Sequence, residues 1–146
     1  MRIRVSAVAM ESDTLLTVRF SYAGNYVFAL PGGGVERGEP IMESLRREWN
    51  DELGLNIKPG RLLVVGDAPG DKRHPRTLHL VFEAEEVSGK PRLIKGSSGG
   101  QDIHWIPKEE IAESALYPDI GPQLVEILKG AATPLFIPNC MVRGFW

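Results

Sequence analysis

Cysteine is nearly missing from this 146-residue chain: Cys140 stands alone, which excludes an internal disulfide and a cysteine metal cage. No apolar run approaches the roughly 20 residues needed to span a bilayer. The opening stretch "MRIRVSAVAM" has no long signal-peptide core and alternates like a strand. A strong charge of either sign is also lacking. The 17 basic and 19 acidic residues leave a net charge of −2, so a nucleic-acid backbone is not the expected partner. These absences together lead to expectations of a cytoplasmic protein, no membrane contact and no stable nucleic-acid complex. What is present is ordinary for a soluble globular chain, with 42% hydrophobic and 25% charged residues and enough length for one proper core. No repeat, linker or low-complexity block divides it, so residues 1–146 are expected to form a single domain. The 131–146 tail has no clear period. Its terminal Phe145–Trp146 pair would be an unusual patch in water and is expected to pack on the domain or across a homodimer.

Along the chain, "RIRVSAVAM" and "TLLTVRF" read as strands joined as a hairpin through "ESD". A short apolar run, "VFAL", ends at Pro31 and three glycines. Pro40 sits where a helix favours its first residue. From there Ile41, Met42, Leu45, Trp49 and Leu53 recur at helical spacing until Gly54 ends the helix. "RLLVV" and "TLHLVFEAEEV" predict two more strands around the basic loop "DAPGDKRHPR", and "RLI" a short edge strand. "DIHWI" predicts another strand, "PKEEIAES" a short helix and "GPQLVEILKG" a second one. Strands with helices interspersed predict a mixed sheet covered on both faces, an α/β fold.

The unusual feature is the helix "RREWNDELGL". Glu48, Asp51 and Glu52 fall at i, i+3 and i+4 and so share a face. Like charges so placed repel by roughly 0.2–0.5 kcal/mol per pair. They lie late in the helix, where the macrodipole disfavours negative charge. Glu52 sits at the edge of the apolar stripe, where a carboxylate needs a compensating partner. A hard divalent cation, which prefers oxygen ligands, answers that need. A solvated acidic face is the alternative. The preceding "PGGGVERGE" lets backbone groups come close to a ligand or simply makes a tight turn.

These residues resemble the signature of the Nudix hydrolase family (MutT-like), G-x5-E-x7-R-E-U-x-E-E-x-G-U with U apolar. Here it runs through Gly33, Glu39, Arg47, Glu48, Trp49, Asp51, Glu52, Gly54 and Leu55. Asp51 replaces the first glutamate of the final pair and is one methylene shorter; Trp49 replaces a usual aliphatic. "FALPGG" and "DIHWIP" are also similar to family strands, and the likeness covers roughly residues 1 to 130. The resemblance implies a Nudix-like α/β/α sandwich with a mixed β-sheet. It also implies Mg²⁺-dependent hydrolysis of a nucleoside diphosphate linked to another group, with Mn²⁺ as a substitute metal. Glu48 and Glu52 would hold the metal with the Gly32 carbonyl, and Asp51 would reach it directly or through water. Glu48 would take the water's proton, and Arg47 would pair with Glu39 or Glu43 to support the site. Some family members use a late-loop glutamate as base, where this chain offers only Asp102. The alternative within the fold is a nucleotide-binding or regulatory module without turnover.

Substrate contacts are expected from Arg19, Gly32, Gly33 and Asp102, with Arg19 placed to reach a phosphate. Lys72, Arg73, His74 and Arg76 are either an anion patch or solvated loop charges. His79, alternating with leucines, is expected to be structural; His104 is open. Tyr22, Tyr26 or Phe28 would stack a base or pack locally.

Overall fold

A computed structural model describes residues 1–22, 24–94, 96 and 99–141. The strands are β1 (Arg2–Val8), β2 (Met10–Glu11), β3 (Thr14–Tyr22), β4 (Asn25–Ala29), β5 (Gly32–Gly34), β6 (Asn56–Ala68), β7 (Thr77–Ser88), β8 (Asp102–Pro107), β9 (Leu116–Tyr117) and β10 (Leu135–Ile137). Helix α1 spans Ile41–Leu53 and α2 spans Gly121–Leu128, with a 3₁₀ segment at Lys108–Glu113. The strands form two mixed sheets. One is ordered β10-β6-β7-β1-β5; the other is ordered β2-β3-β4-β9, with β8 on the free side of β3.

Period-2 alternation gives each sheet two buried faces. Val5, Ala7, Leu16 and Val18 pack with Leu45, Trp49 and Leu53 of α1 in one cluster. Leu15, Val64, Val81 and Ile106 pack with Leu124 and Ile127 of α2 in the other. Helices therefore cover opposite faces of the β layer, as an α/β/α sandwich requires.

Three expectations need correction. The first two long strands do not form a hairpin with each other. β1 joins the first sheet between β5 and β7, and the chain crosses to the second sheet at Ala9, where only Met10–Glu11 turns back onto Leu15 and Thr14. The buried Val5 and Ala7 are better covered by two neighbouring strands than by one. Two sheets form where one was expected. "RLI" is not a strand: Arg92 and Ile94 donate backbone N–H groups to the Leu53 and Glu52 carbonyls, so the segment caps the end of α1. Residues 142–146, including the Phe145–Trp146 pair, lie outside the described residues.

Candidate active site

The three glycines form an edge strand, β5, rather than a loose turn. It pairs antiparallel with β1 through Ser6–Gly32, Val5–Gly33 and Arg4–Gly34. Backbone bonds from Ala7 to the Pro31 carbonyl and from Val35 to the Ile3 carbonyl set the ladder's alternation. By that alternation the Gly32 and Gly34 carbonyls point away from β1. Arg47 Nη2 donates to the Gly34 oxygen at 3.3 Å, which places α1 on that side. Glycine is required at two of these positions. A Cβ on Gly32 would collide with the Val5 carbonyl and Ser6, and a Cβ on Gly33 would occupy the space of the Glu48 carboxylate.

Helix α1 is held against this strand by its indole. Trp49 is fully buried, and its Nε1–H donates to the Pro31 carbonyl at 2.9 Å. Truncating such a side chain to Ala costs roughly 3–5 kcal/mol. Gly54, at φ +66°, ends the helix in the left-handed conformation as the pattern predicts.

Arg47 ties the elements together. Its Nε and Nη2 grip Glu39 Oε2 and Oε1 at 2.7 and 3.0 Å, and its Nη1 reaches Glu48 Oε1 at 2.9 Å. Ser44 Oγ, buried in the first turns of α1, also donates to Glu39. The Arg47 fork, the Ser44 hydroxyl and the Glu36 N–H hold the Glu39 carboxyl down to a pKa of about 2. The same bonds raise the Arg47 guanidinium above its usual range. Of the two partners expected for Arg47, the structure selects Glu39; Glu43 pairs with Arg46 instead.

The three acids differ in setting. Glu52 is 5% exposed, at the boundary of the apolar stripe, and the Glu48 side chain is 22% exposed against Gly33. The Asp51 side chain is 59% exposed and stands 3.9 Å from Arg47. Among the described residues no three acidic, His or Cys side chains already converge as a closed metal cluster. The donor types present, carboxylates on α1 beside an outward backbone carbonyl, are those a hard cation takes, with waters completing the shell. The residues fit such an ion through an open site.

The structure brings two other expected residues together. Arg19 Nη2 pairs with Asp102 Oδ2 at 2.6 Å, and its guanidinium lies 4.3 Å from the centre of the Tyr26 ring. The basic loop is organised locally. Asp71 accepts N–H bonds from Arg73 and His74 and contacts the His74 ring, while Arg76 pairs with Asp67 at 2.5 Å. The His104 and Phe28 rings lie 4.8 Å apart, tilted by 39°.

The sequence reading passed over Arg4. The residue is 6% exposed; its Nη2 donates to the Leu30 carbonyl at 2.8 Å, and its guanidinium lies 4.8 Å from the Tyr117 ring centre. Burial lowers its pKa, opposed by Tyr117, Glu52 and Glu48. The signal was present in "RIRVS", where Arg2, Arg4 and Ser6 share one strand face. His79, its register partner on β7, is 1% exposed, and burial followed by the Arg4 and Arg2 charges drops its pKa to about 3.

The sequence profile of the NUDIX domain matches residues 1–127. Human 8-oxo-dGDP phosphatase NUDT18 is 32% identical over 115 residues, covering 75% of this chain and 34% of that protein. The nucleoside triphosphatase NudI of Escherichia coli is 33% identical over 93 residues, 58% of this chain and 64% of its own. This chain therefore spans about a third of the human relative and under two thirds of the bacterial one. Among solved structures, the MutT NUDIX hydrolase of Burkholderia pseudomallei superposes with a TM-score of 0.65 at 25% identity, over 74% of this chain and 84% of that one. The E. coli ORF135 protein gives a TM-score of 0.72 at 18% identity, over 90% and 95%, which shows the shared fold. Glycine strand, arginine-locked acidic helix and matched profile lead to one assignment: the chain belongs to the Nudix family.

Proposed function

We propose that the protein is a Mg²⁺-dependent pyrophosphohydrolase that cleaves the diphosphate of a nucleoside diphosphate linked to another group. The observation that carries this reading is the packing of the Glu48 carboxylate onto Gly33, on a helix that Arg47 and Glu39 lock to the glycine strand. Relatives named for 8-oxo-dGDP, ADP-ribose and nucleoside triphosphates support the substrate class. Glu48, Glu52 and the Gly32 carbonyl would hold the metal, with the exposed Asp51 reaching it directly or through water. Bound there, Mg²⁺ neutralises phosphoryl charge and acidifies a water.

The chain's own residues do the rest. Arg47 occupies Glu48 Oε1, leaving Oε2 to accept the proton of the attacking water. Gly33 admits that carboxylate to the strand. Arg19 binds a substrate phosphate by exchanging its Asp102 partner for it, with the Tyr26 ring holding the guanidinium plane. Asp102 restores Arg19 to a neutral pair on product release.

A second reading, nucleotide binding without turnover, rests on two departures from the family signature: Asp51 stands in place of a glutamate, and the late loop offers only Asp102 as an acid. The experiment that separates them is phosphate or pyrophosphate release from nucleoside triphosphates, nucleoside diphosphates, ADP-ribose and nucleotide sugars, with Mg²⁺ and with chelator. Turnover that requires the metal supports the hydrolase; binding with no turnover of any substrate supports the second reading.

A further inference from the structure

Beside His79 and Tyr117 a cavity of about 100 Å³ lies between the sheets; Arg2, which also lines it, lies against Gly34, so this cavity belongs with the glycine strand. A larger opening, of about 430 Å³, lies elsewhere, where the β2–β3 turn faces the segment that follows β7. Glu11, Ser12 and Thr14 form one wall, Lys90 and Pro91 form another, and Trp105 of β8 completes the lining. None of these residues belongs to the glycine strand or the acidic helix. The size falls within the roughly 300–1,000 Å³ of ordinary small-ligand sites.

Both walls are fixed by the fold. Ser12 and Asp13 take φ values of 49° and 60°, the left-handed region that residues other than glycine seldom adopt. Three contacts hold that turn. Thr14 Oγ1 donates to the Glu11 carbonyl at 2.6 Å, the Lys108 N–H donates to the Asp13 carbonyl at 2.9 Å, and Lys108 Nζ pairs with Asp13 at 3.5 Å. On the other side, the Arg92 and Ile94 N–H groups tie the chain just beyond Pro91 to the last carbonyls of α1. Trp105 is half-buried: it packs on the cluster of Leu16, Val18 and Leu53 and also lines the opening.

The charges set this opening apart. Other exposed ions find partners, as Lys58 does with Glu85, Arg61 with Glu83 and Lys108 with Asp13. Glu11 and Lys90, on facing walls, are exposed and make no ion pair among the described residues. An anion and a cation held apart beside an indole complement a molecule with three features. These are an ammonium for Glu11, a carboxylate for Lys90 and a flat apolar group for Trp105 and Pro91. Charge-assisted hydrogen bonds are roughly twice as strong as neutral ones, and an indole takes aromatic rings edge-on or offset-stacked. An aromatic α-amino acid carries all three features around one carbon.

We propose that this groove binds a free aromatic α-amino acid, its ammonium at Glu11, its carboxylate at Lys90 and its ring against Trp105. The inference shares no residue with the hydrolase reading and stands apart from it. Calorimetric titration of the full chain with L-phenylalanine and L-tryptophan tests it. N-acetyl-phenylalanine, which lacks the ammonium, and phenylalanine methyl ester, which lacks the carboxylate, serve as probes of the two ends. Saturable binding of the free amino acids is expected, with each derivative at least roughly fivefold weaker. Two exposed-site variants assign the ends. Lys90→Gln binds phenylalanine and its methyl ester equally but still disfavours the N-acetyl compound, and Glu11→Gln shows the reverse. These comparisons are made within one preparation, so a shared loss of folded protein cancels. No saturable binding below about 10 mM overturns the inference. So do equal affinities for the derivatives in the wild type, or the wild-type pattern retained in both variants.

Discussion

The acidic helix and the inter-sheet cavity are neighbours built on opposite rules. At the helix, polar atoms find partners within the fold: Glu39 accepts from Arg47, Ser44 and Glu36, and the remaining Arg47 nitrogen holds Glu48. On the β1–β7 face beside the cavity, Arg4 and His79 are register partners with three nitrogens unmet. A satisfied network rigidifies and fixes geometry, whereas an unsatisfied one costs stability.

Substitutions break this comparison in different ways at the two ends. The largest effects fall on turnover at the helix. Glu52→Gln and Glu48→Gln each lower it by at least roughly tenfold, since on the proposed mechanism each removes a carboxylate that acts on metal or proton; circular dichroism shows the fold retained. Next comes Gly33→Ala. Its methyl group takes the place of the Glu48 carboxylate, and such overpacking destabilises by roughly 1–3 kcal/mol, read by urea unfolding, with activity falling alongside.

Acid titration sharpens the contrast further, because both ends respond with the same sign at different pH. Glu39 is depressed from 4.5 to about 2 in the folded state, so its contribution is complete above pH 4.5 and is lost as pH falls toward 2. Glu39→Gln removes that slope but leaves a protein less stable at neutral pH. His79 is depressed from 6.5 to about 3, so the unfolded chain takes up the proton first and stability falls from pH 6.5 downward. His79→Phe flattens that slope. The smallest effect is the most diagnostic: at pH 7 His79→Phe leaves Tm unchanged or raises it, since replacing an unsatisfied buried polar group removes a penalty. A clear loss of Tm there would mean the imidazole is a structural member of the core.

Much of the helix end was legible in the sequence. The stripe Ile41, Leu45, Trp49 and Leu53, the stop at Gly54 and the charge spacing of Glu48, Asp51 and Glu52 are local patterns, and local patterns survive folding. Arg47 was expected to pair with Glu39 or Glu43; eight residues of separation made Glu39 reachable only because the intervening turn brings it back. The cavity was not legible. Arg4, His79 and Tyr117 come from three strands far apart in sequence, and their meeting depends on β1 lying beside β7. The expected hairpin hid that neighbour. Arg19 and Asp102 illustrate the same limit, since each was singled out but their mutual pairing follows from the β3–β8 register.

The claim beneath all of this is that the carboxylates of α1 converge on a divalent cation beside the glycine strand. Electron paramagnetic resonance of Mn²⁺ tests it directly by titrating the ion into wild-type protein, Glu48→Gln and Glu52→Gln and following the free-ion signal. The account predicts that the wild type depletes free Mn²⁺ while both variants bind at least roughly tenfold more weakly. Identical titration curves for the three proteins would contradict it.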